Sequence, residues 1–358
     1  MKINNLLYFS LIFLITSCSQ NPQNILNEAK DKILNSTRFN YHQLALYPNP
    51  VGKIDSFSFY FDYHKSKENK IDYDFLARSK EFDEVYIDGN YKTVNHKDSI
   101  VRFTTESGTN LNENSIKYSP LTLLKQTWRF VQDTLVSQEK QLNFSQTETD
   151  TLIDGNKIHT ERHIFVNEIS KLIDRFERRN YFNGQLSQKV IHQYSDYNFH
   201  NTIEKLVYEF PANYKSIPFG QVNAKPLLKI GENAPGFTSQ NIKNTIFNID
   251  DYKGQKVLLN FSAINCGFCK LALKHFNQKD YRLSNKINGV YLNIDKRVDV
   301  VDYINKINVP FQVIADAKEF SELYGVFGYP TFFLIDEFGV IENVVVGYNE
   351  EFLESLKM

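Results

Sequence analysis

Alternation dominates the first half of the chain. Over 56–63, Phe57, Phe59 and Phe61 fall on one side of an extended segment and Ser58, Tyr60 and Asp62 on the other, the period-two mark of a strand with one buried face. Val85-Tyr86-Ile87 runs into Asp88-Gly89, and Asp154-Gly155 and Asn183-Gly184 supply two more hairpin turns. Strands are predicted over 157–166, 171–182 and 185–194. Two stretches switch to helical spacing. In 24–37, Ile25, Leu26, Ala29, Ile33 and Leu34 share a face, and around 120–131 Leu121, Leu124, Trp128 and Val131 do. The order is helix, antiparallel strands, helix, antiparallel strands.

Past residue 210 the pattern breaks. The stretch 211–227 holds Pro211, Pro218, Gly220 and Pro226 with few periodic apolar residues, and reads as a linker. From 228 the rhythm is different. The run Lys-Val-Leu-Leu-Asn-Phe-Ser at 256–262 predicts a buried strand. Helical spacing follows over 270–279, with Ala272, Leu273 and Phe276 on the face that also carries Cys269. Strands at 289–294, 311–315 and 332–335 then alternate with helices at 298–306 and 317–324, and a strand at 341–346 and a helix at 350–357 close the chain. Strands alternating with helices argue an α/β layer. The expected organisation is a β-rich N-terminal α+β domain over 24–210, a linker over 211–227, and an α/β domain over 228–358.

The start of the chain is an address. Lys2 is positive, and 6–15 is an apolar run broken only by Ser10. It is too short for a membrane span and suits the core of a signal peptide. It ends in Ile15-Thr16-Ser17-Cys18, which resembles the lipobox of bacterial lipoproteins. That resemblance implies that 1–17 are removed, that Cys18 is acylated, and that 18–23 tether the mature chain. Several acyl chains on one cysteine hold stably where a single chain is marginal. It further implies a Gram-negative cell envelope. Ser19, in place of an Asp, favours the outer membrane, facing the periplasm.

Composition narrows the possibilities. A length of 358 residues suits two domains of ordinary size, and 42% hydrophobic with 14% aromatic residues is enough for folded cores. A net charge of -1 leaves no electrostatic footprint for nucleic acid. The three cysteines, Cys18, Cys266 and Cys269, are too few for a disulfide scaffold, and a four-ligand zinc site lacks its second pair. His159 and His163 stand four apart but within a predicted strand, so they read as polar side chains on a sheet face. Neither a metal nor another cofactor is expected.

Cys266-Gly267-Phe268-Cys269 lies at the strand-to-helix junction that follows 256–262. Cys266 precedes the helix, near its unpaired N–H groups, which favour thiolate. Cys269 sits one turn in, close enough to form a disulfide and to resolve a mixed one. Zinc ribbons use the same spacing, so context must decide. The entry stretch Gly231-Glu232-Asn233-Ala234-Pro235-Gly236-Phe237, the cysteine pair, Gly328-Tyr329-Pro330-Thr331, and Leu334-Ile335-Asp336 followed by Gly339 and Ile341 arrive in one order. Together they resemble the TlpA/ResA-type periplasmic thioredoxins of the AhpC/TSA–thioredoxin superfamily, over nearly all of 228–358. The resemblance implies a thioredoxin fold with Cys266 and Cys269 as a redox-active disulfide. It implies a cis Pro330 lying against that disulfide, and Tyr329 and Phe268 as substrate-binding residues. The partners it implies are cysteine-containing envelope proteins and a membrane redox partner, because the periplasm keeps exposed dithiols oxidised.

The element order of 24–208 and the phrase Tyr86-Ile87-Asp88-Gly89 resemble the LolA-type lipoprotein carriers, a curved sheet holding helices on its concave side. That resemblance implies a face able to hold a lipid. Taken alone, the aromatic residues here read as the filling of a sheet core.

The redox segment also departs from its family. Ser262 and Asn265 stand where many members carry aromatics, and Phe268 where many have proline. Ala272 replaces a frequent glutamate, and Asn260 the buried aspartate of thioredoxin. A water or another side chain must therefore deprotonate Cys269. The expected function is that of a membrane-anchored thiol–disulfide oxidoreductase. Two other readings remain: a lipid- or partner-binding lipoprotein with a regulatory thioredoxin-like appendage, and a peroxiredoxin-like peroxidase. Against the last, Leu259 and Ala263 stand near the positions where peroxiredoxins place a proline and a threonine.

Overall fold

The computed structural model describes residues 21–49, 52–67, 71–104, 115–136, 138–153, 155–219 and 225–358. The expected signal segment 1–17 and Cys18 lie outside them, as do Asp154 and Gly220 of the predicted turn and linker.

The chain enters through helix α1 (Pro22–Leu34). Asn21 caps it by accepting the Gln23 N–H, and Pro22 sits in the first turn, where its missing N–H costs nothing. Six strands follow: β1 (Arg38–Pro48), β2 (Ile54–Lys65), β3 (Tyr73–Arg78), β4 (Phe82–Ile87), β5 (Asn90–Asn95) and β6 (Ile100–Phe103). Helix α2 (Pro120–Leu124) separates them from β7 (Arg129–Val136), β8 (Glu139–Ile153), β9 (Asn156–Asn167), β10 (Ile173–Phe182), β11 (Gln185–His200) and β12 (Lys215–Pro218). All twelve strands make one sheet, in the order β12-β6-β5-β4-β3-β2-β1-β11-β10-β9-β8-β7. Pairing is antiparallel except where β12 runs parallel to β6.

Both helices pack on the same face. Ile25, Leu26, Ala29 and Ile33 of α1 join Leu121, Leu123 and Leu124 of α2 in one cluster with Phe39, Tyr41, Phe61, Tyr63 and Phe75. Rings stack across β1 and β2, Phe39 on Tyr63 at 4.8 Å and Tyr41 on Phe61 at 5.1 Å. Aromatic side chains fill the space between sheet and helices, as the alternation predicted.

Three expectations change. The helix expected over 120–131 ends at Leu124, because 129–136 pairs as an edge strand with β8. The helical spacing of Trp128 has another origin. Its indole folds back and donates to the Leu123 carbonyl at 2.8 Å, while Val131 is exposed. Phe57 is exposed as well, since the start of β2 runs beyond the core and, of its rings on that face, only the later Phe61 and Tyr63 are fully buried. Within 211–227, Lys215–Pro218 forms β12, using the free edge that β6 offers.

A second sheet follows. A short hairpin of β13 (Thr238–Gln240) and β14 (Ile246–Asn248) leads into β15 (Lys256–Ser262), α3 (Gly267–Phe276), β16 (Ile287–Asn293), α4 (Arg297–Ile304) and β17 (Gln312–Ile314). Then come α5 (Lys318–Leu323), β18 (Thr331–Ile335), β19 (Ile341–Val346) and α6 (Glu350–Ser355). The sheet order is β17-β16-β15-β18-β19. β15, β16 and β17 are parallel, and β18 and β19 antiparallel. This is the thioredoxin-like arrangement that the motifs implied. β15 is buried from Val257 to Ser262 because helices cover both faces. Leu258 packs with Ala272 of α3 and Leu353 of α6, while Leu259 and Phe261 pack with Tyr324 beyond α5. Among the described residues, no core cluster mixes side chains from the two sheets. None of the helices among these residues is long and apolar enough to cross a membrane.

Candidate functional site

β15 delivers the chain to the edge where the three parallel strands of this mixed sheet end, the edge where open α/β folds place their sites. Ile264 to Cys266 turn the chain, and the turn is held by Asp295 Oδ2, which accepts the Ile264 N–H at 2.7 Å. Burial raises the pKa of this carboxyl, with the Ile264 bond acting in the other direction. Cys266 is extended (φ -91°, ψ 112°) and caps α3, its Sγ accepting the Cys269 N–H at 3.0 Å. An N–H aimed at sulfur, together with the positive end of the helix, stabilises a thiolate on Cys266.

Cys266 and Cys269 are disulfide-bonded, with Cα atoms 5.2 Å apart. Their environments differ. Cys266 is half-buried, whereas Cys269 is 1% exposed. Gly267 and Phe268 between them face solvent, Phe268 at 43%. Of the two cysteines, Cys266 is the one with surface open to solvent.

The Tyr329–Pro330 peptide is cis, and Cys266 Sγ lies 3.3 Å from the Tyr329 carbonyl oxygen. Several bonds hold this loop, among them one from the Gly347 N–H to the Pro330 carbonyl at 2.7 Å. Thr331 Oγ1 donates to the Gly328 carbonyl at 2.7 Å, and the Tyr329 hydroxyl meets Ser321 Oγ of α5 at 2.8 Å. Cys266, Cys269, Tyr329 and Pro330 are thus brought together from α3 and the loop before β18, and Phe268 stands at the rim. Cys18 lies outside the described residues.

The departures from the family pattern have structural counterparts. Asn260 is buried in the middle of β15 with its Oδ1 unpartnered among the described residues. Ala272 is fully buried against α6. Neither position supplies a carboxylate. His159 and His163 flank Glu161 on β9, at 3.2 and 3.3 Å, and the described residues hold no group of side chains able to bind a metal ion.

Residues 230–344 match the AhpC/TSA family. The C-terminal region is an AhpC/TSA thioredoxin-like domain. It is homologous to thiol–disulfide oxidoreductases of the ResA type. The chain is 29% identical over 121 residues to thioredoxin-like protein YneN of Bacillus subtilis (strain 168), covering 33% of this chain and 71% of that protein. It is 29% identical over 134 residues to thiol-disulfide oxidoreductase ResA of Bacillus thuringiensis (strain Al Hakam), covering 36% and 78%. Among solved structures, a putative thiol:disulfide interchange protein DsbE from Chlorobium tepidum shares 31% identity at a TM-score of 0.33, over 36% of this chain and 93% of that one.

The AhpC/TSA domain does not stand alone at its redox edge. Gln188 Nε2 of β11 donates to the carbonyl of Asn265, the residue before Cys266, at 3.2 Å. Lys270 Nζ, from the residue after Cys269, reaches the Ser187 carbonyl at 3.4 Å. Burial lowers the pKa of Lys270. Sequence reasoning missed these contacts. They join residues 77 and 83 positions apart, and no local pattern announces such a meeting.

Proposed function

We propose that this chain is a membrane-anchored thiol–disulfide oxidoreductase, exchanging disulfides with cysteine-containing envelope proteins through Cys266 and Cys269. One observation carries the reading: the accessible Cys266 sulfur accepts a helix N–H while bonded to a buried partner one turn on.

In the reducing direction the Cys266 thiolate attacks one sulfur of a substrate disulfide. A mixed disulfide forms, and the other substrate sulfur leaves as a thiolate and takes a proton. Cys269, its proton passing to a water or another side chain, then attacks Cys266 Sγ. The internal disulfide forms and the second substrate thiol leaves. Two electrons have passed to the substrate, and a membrane dithiol partner returns them by the same exchange. The reverse sequence oxidises a substrate dithiol. Tyr329 offers its backbone carbonyl beside Cys266, Pro330 withholds an N–H there, and Phe268 gives an apolar contact at the rim.

The lipobox-like run ending at Cys18 supports the lipid anchor, an envelope location and the outer membrane. The separate cores support folding units over 24–210 and 228–358 joined through 211–227, with β12 of that stretch added to the edge of the first sheet. An antiparallel sheet with helices on one face supports a LolA-like N-terminal unit, and its ring-filled interior favours a packed core over a lipid carrier.

A Cys269→Ala variant of the full chain tests the reaction order. Incubated with a disulfide-containing protein, it is expected to accumulate a mixed disulfide at Cys266, seen as a higher-mass band on a non-reducing gel. A Cys266→Ser/Cys269→Ala double variant trapping equal amounts would count against the assignment.

A further inference from the structure

The twelve-stranded sheet does more than touch the redox edge: it walls a cleft there. Between β8–β11 and α3 lies a cavity of about 630 Å³, within the size range of ligand-binding clefts. Gly267 and Phe268, which link the two cysteines, form part of one wall. Leu186 of β11 belongs to the opposite wall. Phe268 is 43% and Leu186 54% exposed, so both walls offer apolar side chains to whatever enters.

The charge is one-sided. Arg178, Lys270 and Lys274 are the charged residues lining the cleft, and no carboxylate lines it among the described residues. Glu148 pairs with Arg178 at 2.7 Å. Lys270 meets only the Ser187 carbonyl, and Lys274 lies 5.7 Å from the Phe182 ring. Neither lysine has an acidic partner among the described residues. The cleft is also held in place. Besides the Gln188–Asn265 bond, Lys53 of the loop before β2 pairs with Asp299 of α4 at 2.7 Å.

We propose that this cleft is the substrate-selecting groove of the enzyme. It takes the peptide segment beside the reacting cysteine and prefers segments that carry an apolar and an acidic side chain. The N-terminal sheet thereby sets specificity for chemistry done by the AhpC/TSA domain. Apolar contact with Phe268 and Leu186 gives affinity, and Lys270 and Lys274 supply complementary charge. This rests on the oxidoreductase reading above, and the test separates the two.

The full chain, reduced and freed of excess reductant, is reacted with two heptapeptides. Each carries one cysteine in mixed disulfide with nitrothiobenzoate, whose release is followed by absorbance. One peptide has Leu and Asp beside the cysteine, the other Gly and Lys. The acidic–apolar peptide is expected to react about tenfold faster, with the ratio falling as salt is raised. Leu186→Ser is expected to shrink the ratio, and Lys274→Glu to bring it to one or below. Equal rates for the two peptides with the wild-type chain, or a ratio unmoved in both variants, would overturn the proposal. Hydroxyethyl disulfide, too small to use the groove, reports on the redox pair alone. If the wild-type chain reduces it but shows no peptide preference, only the groove proposal fails. If it does not reduce it, both readings fail.

Discussion

Cys266→Ser is expected to abolish the protein's catalysis of insulin disulfide reduction by dithiothreitol, lowering the rate by at least about a thousandfold, the scale seen when a nucleophile is removed. A serine hydroxyl is not ionised at neutral pH and forms no bond of disulfide type, so neither half of the exchange proceeds through it. Cys269 does not stand in, because it is 1% exposed beneath the first turn of α3. The fold should survive. Serine is among the best helix N-caps and accepts the same kind of N–H that Cys266 Sγ now accepts from Cys269. An unchanged far-UV circular dichroism spectrum beside lost turnover is therefore the expected pair of results. Equal rates for the variant and the wild type would remove Cys266 from the mechanism.

Gly325→Ala should cost about 3 kcal/mol of stability in the C-terminal region. Gly325 follows α5 with φ +70°, a left-handed conformation in which a side chain costs about 1–2 kcal/mol. The site is also crowded. A Cβ there would lie 2.1 Å from the Pro226 carbonyl oxygen and 2.7 Å from the Leu227 nitrogen. Both are backbone atoms of the segment that Leu228 N–H ties to the Tyr324 carbonyl at 3.2 Å. Relieving the overlap means shifting that segment or the loop leading to Pro330, a further cost of about 1–3 kcal/mol. Gly339 provides the control. Its φ is +83° but its Cβ would meet nothing within 4 Å, so Gly339→Ala should show the backbone cost alone. Urea unfolding of both variants measures the difference. Equal losses would mean that the Pro226 contact is not part of the folded protein.

Much of the C-terminal region was legible because each signal was local. The apolar run of β15, the cysteines at its end, and the Gly328-Tyr329-Pro330-Thr331 loop each announce one backbone event, and the antiparallel pairing of β18 with β15 puts those events at one edge. Phe268 could be placed at the rim from its position between the cysteines. The N-terminal region was less legible. Period-two alternation marked its strands and hairpins, but not where each strand leaves the core, so Phe57 was expected inside. The spacing of Leu121, Leu124 and Trp128 fits a helix and equally a single turn closed by the indole. Deciding between them requires the β8 edge, which is distant information. β12 hid in a proline-rich stretch for a related reason: it exists only because β6 has an open edge to pair with. The meeting of Gln188 with Asn265 is non-local in the same way, although it shapes the ground beside Cys266.

The central claim is that Cys266 and Cys269 act as one two-electron couple. The full chain can be equilibrated in dithiothreitol and glutathione buffers spanning about -120 to -300 mV. Free thiols are then trapped by alkylation and assigned by peptide mass. The account predicts that Cys266 and Cys269 become alkylated together, in a single transition with the slope of a two-electron couple and one shared midpoint. Thiols that appear independently of each other, or a pair that never re-forms its disulfide in the oxidising buffers, would contradict it.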